Sequence, residues 1–301
     1  MMEDAFGAPL REHMSAPVRT VDVNVHLPEV ERILFETGIS GLPVIGPAAR
    51  PVGVVTRSDL LNAGAVSAVT GTDRGRLSVP DRRVGDVMLA RPLCVSENEP
   101  LSRAVRVMRE ERVHRVLVVA GERLVGILTT WDVMRALAAS RTEQPIERFM
   151  TSPVVKVSPT LGTGEALDKL RGSHVHALVV VEHAWPIGVF AQEEALAAER
   201  AHEPTVVERW LNPAVLALPT TLPAHRAAAQ AVAMGARAIV VVARGRVLGV
   251  VTGTNFLYAV PIEGPGGALP RPPRVARRVS RGSRETLPAM PAARRPRGEG
   301  S

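Results

Sequence analysis

The sequence predicts a mixed α/β (α+β) chain made of four copies of one strand-helix-strand-strand-helix unit, followed by a disordered tail. Three observations predict it. A Gly-aliphatic-aliphatic strand running into a polar helix start occurs four times, in "PVGVVTRSDLL", "LVGILTTWDVM", "PIGVFAQEEAL" and "VLGVVTGTNFL". The anchor residues Asp59, Asp132, Glu194 and Asn255 are 73, 62 and 61 positions apart, a period that marks a repeat architecture. Aromatic residues make up only 3% of an otherwise globular composition, 46% of it apolar, so the cores must be aliphatic.

Each element of the unit has its own signal. A short extended piece opens every copy ("HMSAPVRTV", "VMLARPLCV", "FMTSPVVKV", "WLNPAVLAL"). An amphipathic stretch follows. In "PLSRAVRVMREERV" the apolar Leu101, Ala104, Val105 and Met108 fall at helical spacing. A β-branched run comes next ("LPVIG", "VLVVA", "LVVVE", "IVVVA"). Turn residues such as the glycine of "GERLVG" and the prolines of "GPAARPVG" join that run to the last strand as a hairpin. The expected boundaries are 10–66, 82–140, 145–200 and 204–262, with a connector over 67–81 and the tail over 264–301. A unit of about 55 residues buries too little surface to be comfortable alone, so neighbouring units are expected to pair.

The whole arrangement resembles the CBS domains, the cystathionine-β-synthase-like repeats that pair into Bateman modules. Two pairs in one chain are similar in layout to the regulatory gamma subunit of AMP-activated kinase. The resemblance implies a non-catalytic regulatory module that binds an adenosine-containing ligand (AMP, ADP, ATP or S-adenosylmethionine) in clefts between paired units. It also implies a ribose-holding role for Asp59 and Asp132 and sugar-phosphate contacts for Thr56 and Thr129. The β-branched strands, Leu42, Pro43 and Val44 in the first unit and Val116, Leu117 and Val118 in the second, can line an adenine slot.

The residues themselves leave two readings of Thr-x-x-Asp open. Thr at a helix entrance and Asp three positions on form a capping box, worth about 1 kcal/mol with no ligand at all. Alternatively the free N–H groups and dipole of the helix start attract phosphate, and the carboxylate faces a donor such as a ribose diol. For phosphate, His114, Arg115 and Arg57 are the cationic candidates, Arg through its bidentate fork. Their bland alternative is a solvated strand end. Ala191 and Glu194 depart from the pattern in the third unit. Thr252 and Asn255 keep part of it in the fourth, so the second module reads as a degenerate one.

Other chemistry is thin. The lone Cys94, between Leu93 and Val95, excludes a disulfide framework and reads as a small buried hydrophobe. His174 and His176 share a strand face, but no further ligand completes a set, so no metal is expected. No nucleophile, Walker or Rossmann motif appears. No secretory signal and no apolar run of about 18 residues appear, so the expected location is cytoplasmic, away from membranes. The net charge of +7 lies in the tail. Residues 264–301 hold nine arginines and two glutamates, which leaves 28 basic and 28 acidic residues elsewhere. Nucleic acid is therefore a disfavoured partner, reachable only through the tail. The alternatives to ligand sensing are a ligand-free scaffold that docks a protein partner and a nucleic-acid-associated protein. Modules could pair within the chain or in a homodimer. Deleting 264–301 is expected to move the melting temperature by no more than about a degree or two, as surface-like changes do.

Overall fold

A computed structural model describes residues 5–65, 79–173, 175, 177–183, 185–200, 205–212 and 215–262. The tail, most of the 67–81 connector and His174 and His176 lie outside the described residues. Four units follow one another in the predicted order. The first has β1 (Val21–Asp22), α1 (Leu27–Thr37), β2 (Gly41–Ile45), β3 (Pro51–Thr56) and α2 (Arg57–Ala65). After a two-residue strand, β4 (Leu89–Ala90), the second has β5 (Cys94–Ser96), α3 (Leu101–Glu110), β6 (Arg115–Ala120), β7 (Arg123–Thr129) and α4 (Thr130–Ala139). The third has β8 (Lys156–Val157), α5 (Thr163–Ser173), β9 (Ala177–Glu182), β10 (Trp185–Ala191) and α6 (Gln192–Arg200). The fourth has β11 (Leu216–Pro219), α7 (Ala224–Met234), β12 (Ala238–Ala243), β13 (Arg246–Thr252) and α8 (Gly253–Leu257).

In every unit the first strand pairs parallel with the second across a helix, and the second and third form an antiparallel hairpin. The helical stripe read from the sequence holds: Leu101, Ala104, Val105 and Met108 of α3 are all fully buried. Helices α1 and α7 stop at Gly38 and Gly235, whose φ values of 67° and 64° suit the left-handed cap that glycine adopts without strain.

The opening pieces of the units divide in two, which the sequence did not suggest. Their last residues are the first strands. Their first residues cross to the other unit of the pair. Leu10 and Ser15 donate backbone hydrogen bonds to Glu99 and Ile127 of the second unit (2.9 Å each), and Val84 donates to Val25 of the first at 2.8 Å. In the second module Thr151 donates to Val250 and Val207 to Leu161, both at 2.8 Å. Each pair is therefore held by exchanged segments.

This exchange explains the repeated glycine. A Cβ on Gly126 would stand 2.1 Å from Met14 Sδ, and one on Gly53 would stand 2.3 Å from Met88 Sδ. Gly249 meets Met150 at 2.6 Å and Gly188 meets Leu211 at 2.5 Å in the same way. The four glycines are seats for a side chain arriving from the partner unit, a use of glycine where another segment approaches closely.

The two modules meet within the chain along unequal seams. Units two and four share one core: Val133, Met134, Ala136 and Leu137 of α4 pack with Ala224, Ala227, Ala228 and Ala231 of α7 and with Phe256 and Leu257 of α8. The alanines let the helices approach closely. A Cβ on Gly253 would stand 2.5 Å from Thr130 Oγ1. Units one and three keep separate cores and touch through α2 and α6 by polar contacts, including Ser58 Oγ to Gln192 Oε1 at 2.9 Å.

Arg109 of α3 ties off the end of the fourth unit. Its guanidinium donates to the Leu257 and Val260 carbonyls, with Nε to Leu257 O at 2.9 Å, and lies 5.3 Å from the centre of the Tyr258 ring. Burial pulls its pKa down to about 10, yet it stays charged at neutral pH. Arg109→Ala strands these carbonyls and is expected to cost about 1–2 kcal/mol in urea denaturation. An unchanged midpoint would show that the clamp carries no load.

Cys94 corrects the sequence reading. It is exposed, because side chains alternate along β5 and Val95 takes the inward position. Burial of part of its surroundings raises the thiol pKa.

Candidate functional site

The four strand-to-helix turns are the places where polar side chains collect. In the first, Asp59 Oδ2 accepts from Thr56 N at 2.8 Å and Thr56 Oγ1 at 2.7 Å. In the second, Asp132 Oδ2 accepts from Thr129 N and Thr129 Oγ1, both at 2.7 Å. Each is a capping box. In the fourth turn Asn255 Oδ1 takes the same two bonds from Thr252, at 2.8 and 2.9 Å. In the third, Ala191 lacks the hydroxyl, and Glu194 reaches back with its longer side chain to accept from Ala191 N at 2.9 Å. Burial raises the Glu194 pKa.

The second oxygens separate the two aspartates. Asp132 Oδ1 accepts from Ser15 Oγ at 3.0 Å and from the Arg135 guanidinium. Its side chain is 1% exposed. Asn255 mirrors this by donating from Nδ2 to Phe149 O and Thr151 Oγ1, at 2.8 and 3.0 Å. Ser15 and Thr151 both come from exchanged segments, just after Met14 and Met150. The sequence reasoning missed them, although a hydroxyl following methionine in "HMS" and "FMT" was a visible signal. Asp59 is different: it is only partly buried, and among the described residues Oδ1 accepts no hydrogen bond.

Arg115 supplies the cationic side of that corner. It starts β6 in the second unit and crosses to the first, where Nη2 donates to Ser40 Oγ at 3.2 Å. Its Nη1 lies 1.9 Å from where a Cβ on Gly41 would be, so only glycine leaves room for the guanidinium. Desolvation lowers the Arg115 pKa and nearby Asp59 raises it, yet the two form no ion pair within 4.0 Å. A partly buried aspartate and a confined guanidinium thus lie near one another without forming an ion pair.

The other candidates are placed elsewhere. Arg57 is not a solvated strand end. It is 5% exposed and pairs with Glu193 of the third unit at 2.7 Å. His114 Nδ1 lies 3.5 Å from Thr254 Oγ1, at the junction of units two and four. Leu42 and Val44 are in the first unit's core, and Val116 and Val118 are in the core shared by units two and four. Pro43 and Leu117 alternate with them on the opposite sheet faces and are also buried. Among the described residues no group of three or more His, Cys, Asp or Glu could hold a metal. No described helix is long and apolar enough to cross a membrane.

Fold and turns together define a protein of paired strand-helix-strand-strand-helix repeats whose polar residues gather at helix starts between the units. The chain belongs to the CBS domain family: the family model matches residues 10–66, 84–139 and 146–200. A Thermofilum pendens protein, an uncharacterised 33.4 kDa product of the ribosomal RNA operon, is 27% identical over 183 residues, 56% of this chain and 57% of its own length. Arabidopsis thaliana CBSX2, a chloroplastic CBS domain-containing protein, is 30% identical over 150 residues, 44% of this chain and 60% of its own. The chain thus spans less than two thirds of either relative. Protein MJ1225 of Methanocaldococcus jannaschii, a candidate archaeal homologue of g-AMPK, superposes with a TM-score of 0.72 at 17% identity, over 83% of this chain and 99% of that one. That likeness is one of fold.

Proposed function

We propose that the chain is a non-catalytic regulatory module that takes an adenosine-containing ligand between its first two units, at the Asp59–Arg115 corner. The observation that carries this reading is that, among the described residues, Asp59 Oδ1 accepts no hydrogen bond and the nearby Arg115 guanidinium donates one, to Ser40. A ribose diol supplies the two donors that Asp59 lacks, and phosphate oxygens suit the fork of Arg115. AMP, ADP, ATP and S-adenosylmethionine all share the adenosyl group, and the crystal structure of CBSX2 is a complex with AMP. Thr56 holds Asp59 in place through the cap.

In the second unit a ribose would have to displace Ser15 or Arg135 from Asp132, so Asp132 and Thr129 act first as a structural cap. The second module, with Ala191, Glu194 and Asn255, serves as the degenerate half. A protein partner that reads the occupied state completes the regulatory role. The saturation of Asp132 favours the rival reading, a scaffold without a ligand, for the second unit alone.

Titration calorimetry of AMP, ADP, ATP and S-adenosylmethionine against the full chain tests this. Asp59→Asn is expected to weaken binding by at least about tenfold, the loss of one charge-assisted hydrogen bond. Asp132→Asn can keep the cap, as Asn255 does, but loses the carboxylate oxygen that accepts from Ser15 and Arg135, so it is expected to change affinity little and to lower stability by about 1–2 kcal/mol. Binding of none of the four by the wild-type protein would leave the scaffold.

A further inference from the structure

Of the four side chains that meet a glycine of the paired unit, three are methionines. Met14 lies on Gly126, Met88 on Gly53 and Met150 on Gly249, and in each the sulfur is the atom nearest to where a glycine Cβ would stand. Leu211 fills the fourth place, on Gly188. All three methionines pack against a closed core, Met14 and Met150 on the one shared by units two and four and Met88 on that of unit one. Yet the three are only half-buried. Met108 and Met134 differ, being sealed in the core, and Met234 stands open at the end of α7. The described methionines are thus of three kinds: sealed, open, and wedged at a junction within reach of solvent.

Each wedged side chain is followed at once by backbone pairing with the strand that carries its glycine. Ser15 donates to Ile127 O at 2.9 Å, and Thr151 to Val250 O at 2.8 Å. After Met88, Leu89 and Ala90 pair with Val54 and Gly53 as β4 on β3. The side chain therefore sets the approach of the segment whose hydrogen bonds join the units. A thioether suits this place because it is apolar, flexible and unbranched. A sulfoxide is polar and chiral, and holding its S–O dipole against an aliphatic core without a donor costs free energy.

We infer that Met14, Met88 and Met150 are oxidation sites, and that their conversion to methionine sulfoxide by a peroxide loosens the pairing of the units. In that step a sulfur lone pair attacks a peroxide oxygen, an S–O bond forms and the O–O bond breaks. The thioether loses two electrons to the peroxide. With hydrogen peroxide, the proton on the transferred oxygen passes to the departing hydroxide, which leaves as water. The two modules differ in their response. In the first, both crossings are methionines, so both halves of the exchange loosen. In the second, Leu211 is inert to peroxide and keeps one crossing intact. The first module is therefore the one that opens. The inference rests on the pairing geometry and holds whether or not a nucleotide binds.

The test treats the full chain with hydrogen peroxide, in a Cys94→Ser background that removes the lone thiol. Peptide mass spectrometry reads each sulfoxide, and amide exchange reads the pairing. Once Met14 and Met88 are converted, the amides of Ser15 and β4 are expected to exchange at least about tenfold faster. Asn212, which follows Leu211 and donates to Val189 O at 3.0 Å, is expected to keep its protection. Combining Met14→Leu, Met88→Leu and Met150→Leu, the residue type that the third unit's glycine already meets, is expected to abolish the response while Met234 still oxidises. Unchanged exchange in the converted chain, or an equal response in the leucine variant, overturns the sites. So does equal acceleration at Asn212, which would mark general unfolding, or failure of Met14 and Met88 to oxidise when Met234 does. Should the leucine variant fail to fold, repair of the oxidised chain by methionine sulfoxide reductases decides it. Recovered protection of Ser15 and β4 supports the inference, and no recovery after the sulfoxides are reduced overturns it.

Discussion

Phe256→Ala is expected to lower the stability of the chain by about 3–5 kcal/mol, the usual cost of deleting a large aromatic from a closed core. Phe256 is fully buried in the core that units two and four share. Its helix, α8, is only five residues long, far too short to persist by its own hydrogen bonds. Packing on α4 and α7 and the Arg109 clamp must hold it. Losing the ring leaves a cavity under α4, so amide protection should fall in α4 and α7 as well as in α8. Urea denaturation with exchange measurements checks both parts. A loss below about 1 kcal/mol, or unchanged protection of α4, would mean that the fourth unit is only loosely docked.

The sequence made the repeat legible because every unit solves the same local problem with the same letters. Period-two and period-3.6 apolar patterns depend on nearest neighbours, and they placed α3 and all four hairpins. What they could not carry was which unit a short apolar piece serves. Met14, Met88, Met150 and Leu211 look like strand residues in their own units, yet each sits on a glycine of the paired unit. Cys94 was misread for a related reason: adjacency to Leu93 and Val95 suggested burial, whereas alternation along β5 turns it outward.

The candidate site was legible as a set of turns and not as a set of roles. Thr56-x-x-Asp59 and Thr129-x-x-Asp132 are the same motif, and the capping box serves both. Apart from Arg135, which reaches Asp132 from the next turn, the difference between them arises from residues more than 50 positions away, Ser15 on one side and Arg115 on the other. Arg57 and Glu193 occupy ordinary helix-start positions for exposed charges. Only the meeting of α2 with α6 makes them partners.

Gly126→Val is expected to cost about 2–3 kcal/mol, the upper part of the range for overpacking a filled site. A Cβ at this position would lie 2.1 Å from Met14 Sδ, 2.9 Å from its Cγ and 3.2 Å from its Cβ. Swinging the thioether aside relieves the first contact and part of the second, but the Cβ contact moves only with the backbone of the exchanged segment. That segment also brings Ser15 to Asp132, so the substitution should pull the hydroxyl off the buried carboxylate as well. Met14→Ala removes the Sδ and Cγ contacts and leaves only the 3.2 Å Cβ contact, so it should relieve part of the penalty. In a double-mutant cycle the two changes should then couple by at least about 1 kcal/mol, well above the few tenths seen for independent sites. Gly164→Ala provides the contrast: nothing lies within 4 Å of its added Cβ, and helix propensity makes that change neutral or stabilising by up to about 1 kcal/mol. Denaturation midpoints of the four cycle members and the control measure this. If Gly126→Val costs as much without the methionine as with it, the glycine is not a seat for the exchanged segment, and the pairing of the first two units must rest on the sheet contacts alone.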